Sequence, residues 1–156
     1  MRSRTLLFIL LVLAASCVTV EVCDESYDSD LVAKFKTLHD GETVDSTLTA
    51  MTLYGIREGQ SDSLLYDAAS SSGFVVPLDP HHDFSSFVLQ IDTLSDTLTV
   101  YHDFETYMES YTCGYANLFT LSNIEFGGGI IKSDTILNEM IDAEYEENEE
   151  HIWLYL

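Results

Sequence analysis

Short runs of apolar and β-branched residues, separated by turn-forming residues, recur along most of this 156-residue chain. In "LVAKFKTL" (31–38), Ala33 and Phe35 alternate with Val32 and Lys34, a period of two that is typical of a β-strand. Similar runs are "STLTAMTLYGI" (46–56), "SLLYD" (63–67), "GFVVPL" (73–78), "FSSFVLQI" (84–91), "DTLTVYHDF" (96–104), two runs between Tyr107 and Phe126, and "HIWLYL" (151–156). About eight to ten short strands at this spacing predict a single all-β domain, an antiparallel β-sandwich or an open barrel.

Turn signals divide these runs. The small-residue segment "AASSSG" (68–73), the "DTLSD" between two strands (92–96) and "FGGGI" (126–130) predict turns. Pro77 cannot donate a ladder hydrogen bond, so its strand ends there or lies on a sheet edge. The segment 134–145 fits either a helix or a strand from its apolar spacing, and we favour a strand.

The N-terminus has the layout of an export signal. Arg2 and Arg4 precede an apolar core that runs from Leu6 to Ala15. This core has about ten residues, whereas a membrane-spanning helix needs roughly 20. Ordinary signal peptidase would cut near "AAS" (14–16), and lipoprotein processing would cut before Cys17. We expect residues 1–16 to be a lipoprotein signal peptide, 17–30 the lipid-anchor residue with an acidic lead-in, and 31–156 the β-domain.

The three cysteines bear on how the chain is anchored. If two of them form a disulfide in an exported protein, the third is left over. Either lipidation of Cys17 or its loss with the leader would leave Cys23 with Cys113, and the position of Cys17 directly after the apolar core favours lipidation. A bridge from Cys23 to Cys113 would close a loop of about 90 residues and add roughly 4 kcal/mol of stability. Six peptide steps from Cys17 to Cys23 span roughly 20 Å at most, so the domain is predicted to lie close to its membrane.

Charge restricts the classes of partner. Beyond residue 16, the four basic residues Lys34, Lys36, Arg57 and Lys132 face 27 acidic residues. This surface argues against nucleic acid, because little positive charge is available for phosphates. It also argues against docking on anionic lipid, an obstacle that an acyl anchor on Cys17 would overcome.

Several of these segments carry a resemblance to a known family. The early "EVCDES", the mid-chain "VPLDP", the "DTLTVYHDFE" strand and "SYTCGYANLFTL" resemble an uncharacterised family of small exported lipoproteins from Bacteroides-type bacteria. The likeness runs from about Cys23 to the C-terminus, and "PLDP" (77–80) and "CGY" (113–115) are its strongest pieces. It implies an exported β-rich domain in which Cys23 and Cys113 occupy the recurring cysteine positions, and it implies no known substrate.

The candidate metal ligands of this sequence are histidines and acidic residues. In "LDPHHDF", the residues His81, His82 and Asp83 are candidate ligands for zinc or a similar ion. Adjacent strand residues point to opposite faces, so both histidines reach one ion only where the backbone is irregular. His102–Asp103 and His39–Asp40 are further pairs of a histidine with an acid. Their spacing in the sequence does not require them to lie close together in the fold. The acidic segments 92–96 and 144–150 offer oxygens that suit calcium but lack the EF-hand pattern, so an exposed polar surface is the favoured interpretation.

The chain carries no sequence motif of catalysis. It has no G-x-S-x-G serine turn, no phosphate-binding glycine loop and no H-E-x-x-H zinc motif. The aromatics of the 101–115 region, which are Tyr101, Phe104, Tyr107, Tyr111 and Tyr115, fit either an exposed ligand platform or core packing, and we favour the core.

Together these features predict a non-enzymatic binding or structural accessory module. It would be an exported lipoprotein, periplasm-facing or surface-exposed, with a bilayer contact through Cys17 and an unidentified protein or glycan partner. No cofactor is predicted. A calcium- or metal-dependent binding module is the alternative, and a hydrolase is the second alternative.

Overall fold

The computed structural model describes residues 29–57, 59–111, 113–142 and 149–156, and these residues form strands, turns and loops without a helix. The strands are β1 (Asp30–His39), β2 (Glu42–Asp45), β3 (Leu48–Ile56), β4 (Ser63–Ser71), β5 (Gly73–Pro77), β6 (Phe84–Ile91), β7 (Leu94–Ser110), β8 (Gly114–Phe126), β9 (Ser133–Ile136), β10 (Met140–Ile141) and β11 (Ile152–Tyr155). The prediction of an all-β protein is therefore confirmed. The described residues hold eleven strands, against about eight to ten predicted. The short β2 is not among the predicted strands, and the segment 134–145 holds parts of two strands, β9 and β10. The prediction of two strands between Tyr107 and Phe126 is wrong, because β7 continues to Ser110 and β8 alone follows it.

Two sheets make up the fold. One has the order β2-β1-β11-β9, with β5 also paired to β1, and the other has the order β10-β8-β7-β6-β3-β4. The larger sheet is antiparallel throughout and curls into a half-barrel over the smaller one. This arrangement combines the two predicted architectures, a sandwich and an open barrel.

The smaller sheet is organised around β1. Strands β5 and β2 occupy successive parts of one edge of β1, since Phe35 donates its N–H to Ser72 and accepts an N–H from Ser46. The other edge pairs with β11, and this pair is parallel, with Ala33 opposite Ile152. The C-terminal strand was predicted correctly, but its parallel direction departs from the antiparallel expectation.

The core lies between the two sheets and follows the period of two in the sequence. Its side chains alternate along the longer strands, as in β6, where Ser85, Phe87 and Leu89 are buried, whereas β2 is exposed throughout. The smaller sheet contributes Leu31, Ala33, Phe35, Phe74, Val76, Ile152 and Leu154, and the larger contributes Met51, Leu53, Phe87, Leu89, Leu98, Val100, Phe119 and Leu121.

The structure tests three local predictions, which concern the segment 134–145, Pro77 and the turn at 68–73. Within 134–145, residues 134–136 lie in β9 and Met140–Ile141 form β10, with a bend between them, so the described part of the segment contains strands and no helix, as favoured from the sequence. Pro77 ends β5, which lies at the edge of its sheet. The expected turn at 68–73 is wrong in extent, because β4 continues to Ser71 and the chain bends at Ser72, where it passes from the larger sheet to the smaller one.

Candidate functional site

The loop between β5 and β6, residues 78–83, is organised by Asp79. Pro77 ends the preceding strand, and the N–H of Asp79 donates to Oγ of Ser85 at 2.7 Å, which fixes the loop to the start of β6. The carboxylate of Asp79 accepts the N–H of His81 at 2.9 Å and lies 3.3 Å from Nδ1 of His81 and 3.2 Å from Nδ1 of His82. Both histidines therefore face one carboxylate.

The surroundings of Asp79 favour the ionised form of its carboxyl group. Its burial opposes ionisation, but hydrogen bonds from the N–H of His81 and from the two imidazoles outweigh this effect, so the pKa of Asp79 lies below its ordinary value. Arg57 follows β3 and brings its Nε to 3.8 Å from the same carboxylate. The Arg57 side chain is half exposed, which leaves much of its guanidinium open to solvent.

Ser85 and His102 form a second, buried pair beneath this loop. Oγ of Ser85 lies 2.9 Å from Nε2 of His102, and both residues are buried. The His102 ring packs edge-on against Phe119 with a centroid distance of 5.1 Å. Its Nδ1 is buried and has no hydrogen-bond partner among the described residues. Burial lowers the pKa of His102, against the opposing effect of the carboxylates of Asp79, Asp83 and Asp103, so the ring is neutral at pH 7.

A small cleft opens beside the Asp79 loop, between the end of β3 and the start of β4. Its volume is about 160 Å³. Apolar walls come from Ile56, Leu65, Pro77, Phe84 and Phe87, and polar groups come from Arg57, Ser63, Asp79, His82, Ser85 and Ser86. A shallow, open depression of about 430 Å³ lies on the other side of His82 and is lined by Pro80, His81, Asp83, His102, Asp103 and Phe104. His82 thus separates two concave surfaces.

The three predicted metal ligands do not act as one set. His81 and His82 turn to Asp79, whereas the carbonyl oxygen of Asp83 accepts the N–H of His102 at 3.0 Å. In the described part of the chain, no group of three or more His, Cys, Asp or Glu side chains is placed to hold a metal ion. The metal prediction therefore gains no ligand set from these residues.

Of the two other histidine–acid pairs, His102–Asp103 lies beside the loop and lines the same depression as His81 and Asp83, whereas His39–Asp40 lies at the β1–β2 turn. Nε2 of His39 lies 3.6 Å from Oδ2 of Asp40, and both side chains are exposed at the β1–β2 turn. His102 points into the protein, while Asp103 is exposed.

The acidic segments considered for calcium have structural roles where they are described. Asp96 is buried, and its Oδ2 accepts the N–H groups of Ile130 and Ile131, each at 2.9 Å. Residues 143–148 lie outside the described part of the chain. Glu149 accepts a hydrogen bond from Asn138 at 2.7 Å, and Glu150 accepts one from the indole of Trp153.

Of the three cysteines, the described part of the chain includes Cys113. Cys17 and Cys23 lie outside the described residues, so lipidation of Cys17 and the Cys23–Cys113 bridge remain predictions. Cys113 sits at the turn between β7 and β8, where its N–H donates to Oγ of Ser110 at 2.9 Å. None of the described residues belongs to a helix with the length and apolarity needed to cross a bilayer.

The aromatic region divides between core and surface. Phe104 is half-buried and packs on Phe119 at a centroid distance of 5.3 Å. Tyr107, Tyr111 and Tyr115 are exposed, so the core interpretation is wrong for these three.

The fold and site define a class: an all-β protein of two packed sheets, with a small cleft of mixed polarity beside a histidine-bearing loop. Within that class, the chain belongs to a family of unknown function, DUF6452, which it matches over residues 47–156. No curated protein and no solved structure matches it. The site therefore has to be interpreted from its own geometry.

Proposed function

We propose that this protein is a non-enzymatic, membrane-tethered binding module of the cell envelope. The N-terminal features support the location: an export signal of residues 1–16, a cysteine directly after it and an acidic chain beyond it. The protein then faces the periplasm or the cell surface as an acylated lipoprotein. Its resemblance to exported lipoproteins of Bacteroides-type bacteria supports the same location.

The cleft beside Asp79 is the observation that carries the binding role. Its volume of about 160 Å³ is below the roughly 300–1,000 Å³ typical of sites for drug-sized ligands. It therefore suits a small molecule or one side chain of a protein partner. An apolar part of the ligand would pack on Ile56, Leu65 and Phe87, while a polar or anionic end would lie near Arg57 and His82.

Preorganisation supports binding at this cleft. Asp79 is fixed by the hydroxyl of Ser85 and by both imidazoles, so the polar groups keep their positions before a ligand arrives. Groups held in place lose little conformational entropy on binding, which favours affinity.

The Ser85–His102 pair favours one second candidate, a hydrolase. The 2.9 Å distance between Oγ and Nε2 suits a serine activated by a neutral base. However, Ser85 is only 6% exposed and accepts the N–H of Asp79. Nδ1 of His102 also has no carboxylate to orient it within the described residues. We therefore propose that this pair stabilises the fold and performs no nucleophilic chemistry.

The tether is tested by metabolic labelling with a palmitate analogue in a Gram-negative host that expresses the full chain. We expect label on the wild-type protein and none on the Cys17→Ala variant. Cys113→Ala is the matched control and should keep its label. Label that survives Cys17→Ala would remove the tether from the proposed function.

Binding at the cleft is tested with small carboxylates on apolar groups, such as benzoate and hexanoate, by following backbone amide shifts in NMR titrations. We expect saturable shifts around Arg57 and Ser86 that are lost in Arg57→Gln. Lys132→Gln removes another cation and should leave the shifts intact. An absence of shifts with both probes would count against the cleft, and labelling of Ser85 by a fluorophosphonate would count against the non-enzymatic assignment.

A further inference from the structure

The tip of the β7–β8 hairpin, defined here as residues 106–118, exposes aromatic and apolar side chains. Tyr111 is 98% exposed, Tyr115 is 72% exposed and Met108 is 48% exposed. Met108 and Tyr115 are directly opposite each other in the antiparallel pair, so their side chains share one face. Such a concentration of exposed large side chains marks an interaction surface.

The same segment is depleted of charge. Glu109 is the one charged residue of the hairpin tip, in a chain with 27 acids among 156 residues. The rest of the acidic surface is repelled by an anionic bilayer, whereas this tip carries almost none of that repulsion. Tyrosine has an apolar ring and a polar hydroxyl, which suits the head-group region of a membrane.

The described part of the chain begins beside the hairpin tip. Ser29 is the first described residue, and its Oγ donates to the carbonyl oxygen of Asn117 at 2.6 Å. Asn117 lies three residues beyond Gly114, where β8 begins. Twelve peptide steps from Cys17 to Ser29 reach about 40 Å at most, and the predicted bridge from Cys23 to Cys113 at the tip would shorten that reach to roughly 20 Å.

We propose that the hairpin tip rests on the lipid bilayer to which Cys17 is anchored, with Tyr111 and Tyr115 at the depth of the head groups. The proposal depends on the tether in the proposed function and adds an orientation to it. With the tip toward the membrane, the acidic bulk of the domain is held away from the lipid surface. Exposed tyrosines also suit protein interfaces, but the entry of the chain beside the tip and its low charge favour the bilayer.

The test uses the full-length acylated protein in zwitterionic phosphatidylcholine vesicles, with or without bromine on the acyl chains. A Tyr111→Trp variant adds an indole at the tip, and the native Trp153 supplies a constant background. Leu64→Trp is the matched control, because Leu64 is 52% exposed on β4, at the edge of the larger sheet away from β7 and β8. We expect brominated lipid to quench most of the emission that Tyr111→Trp adds and little of the emission that Leu64→Trp adds.

The outcomes separate the two proposals. If acylated protein sits on the vesicles and the two variants are quenched equally, the hairpin orientation is overturned and the tether stands. A blue shift of Tyr111→Trp without bromine quenching would mean that protein covers the tip, which also overturns the lipid contact. If the protein carries no acyl group and stays off the vesicles, the tether and the orientation both fail.

Discussion

Oγ of Ser85 lies 2.9 Å from Nε2 of His102, and the same hydroxyl accepts the N–H of Asp79 at 2.7 Å. One buried side chain therefore connects β6, β7 and the loop that positions His81 and His82. Because the loop carries a wall of the cleft, the shape of the cleft depends on a hydrogen bond made beneath it.

The first prediction concerns this hydroxyl. Ser85→Ala leaves the part-buried N–H of Asp79 and a buried imidazole nitrogen without a partner, so the free energy of unfolding should fall by about 1–3 kcal/mol. Ser86→Ala is the control, because Ser86 pairs only partly buried with Thr99 at 3.1 Å and its loss should cost about 0.5 kcal/mol. Urea unfolding measures both variants. Equal losses would show that the Ser85 bond contributes nothing specific.

The second prediction concerns pH. Burial lowers the pKa of His102 in the folded protein, while the unfolded chain regains an ordinary value of about 6.5. Below about pH 6.5 the unfolded state therefore binds a proton that the folded state does not, so stability present above this pH is lost as the pH falls. Burial also lowers the pKa of His151, which adds to the same trend.

The measurement is the urea midpoint at several pH values between about 7 and 5.5, a range that brackets the ordinary histidine value. His102→Gln keeps a polar group at the site but does not titrate, so its midpoint should fall less steeply than that of the wild-type protein. Identical slopes in the two proteins would rule out a contribution from His102.

Much of the fold follows from sequence patterns that act locally. The two-residue turn at Asp92 and Thr93 fixes the β6–β7 register, in which Phe87 faces Leu98 and Ser85 faces Val100. This register places Ser85 and His102 on the inward side of neighbouring strands. The sequence predicts a longer turn over "DTLSD" (92–96), which leaves this register open, so the Ser85–His102 pair does not follow from that prediction.

Other features of the fold are not specified by local sequence patterns. β11 joins β1 in parallel across more than 110 residues of chain, as in the pair Ala33–Ile152, and no local pattern specifies that direction. The convergence of His81 and His82 on Asp79 arises from an irregular loop, where strand alternation does not apply. The density of aromatics around Tyr111 and Tyr115 predicts a buried strand, but Tyr111 lies in the turn that follows β7 and both side chains are exposed.

The third prediction concerns Asp96, which closes the glycine-rich turn after β8. Its Oδ2 accepts the N–H groups of Ile130 and Ile131, so Asp96→Ala leaves two buried donors unpaired and should cost about 2–4 kcal/mol. Asp103→Ala removes an exposed carboxylate from the same strand and should change stability by no more than about 0.5 kcal/mol. Thermal unfolding of the two variants provides the comparison. A similar midpoint for both would show that these bonds do not stabilise the turn.

The fourth prediction concerns the contact between β1 and β5. Gly73 faces Lys34 in the pair, and a Cβ added at Gly73 would overlap the carbonyl oxygen of Ala33. Backbone atoms cannot move aside as a flexible side chain can, so Gly73→Ala should force β5 away from β1 and cost about 3 kcal/mol. Gly55→Ala is the matched control, because its Cβ would lie at an ordinary 3.5 Å from Cδ1 of Leu65. The free-energy cost of Gly55→Ala should stay within about 1 kcal/mol.

Urea unfolding, with hydrogen exchange at the amide of Phe35 as a local probe, distinguishes the two variants. Slow exchange in Gly73→Ala at the wild-type rate would show that β5 tolerates the added methyl group.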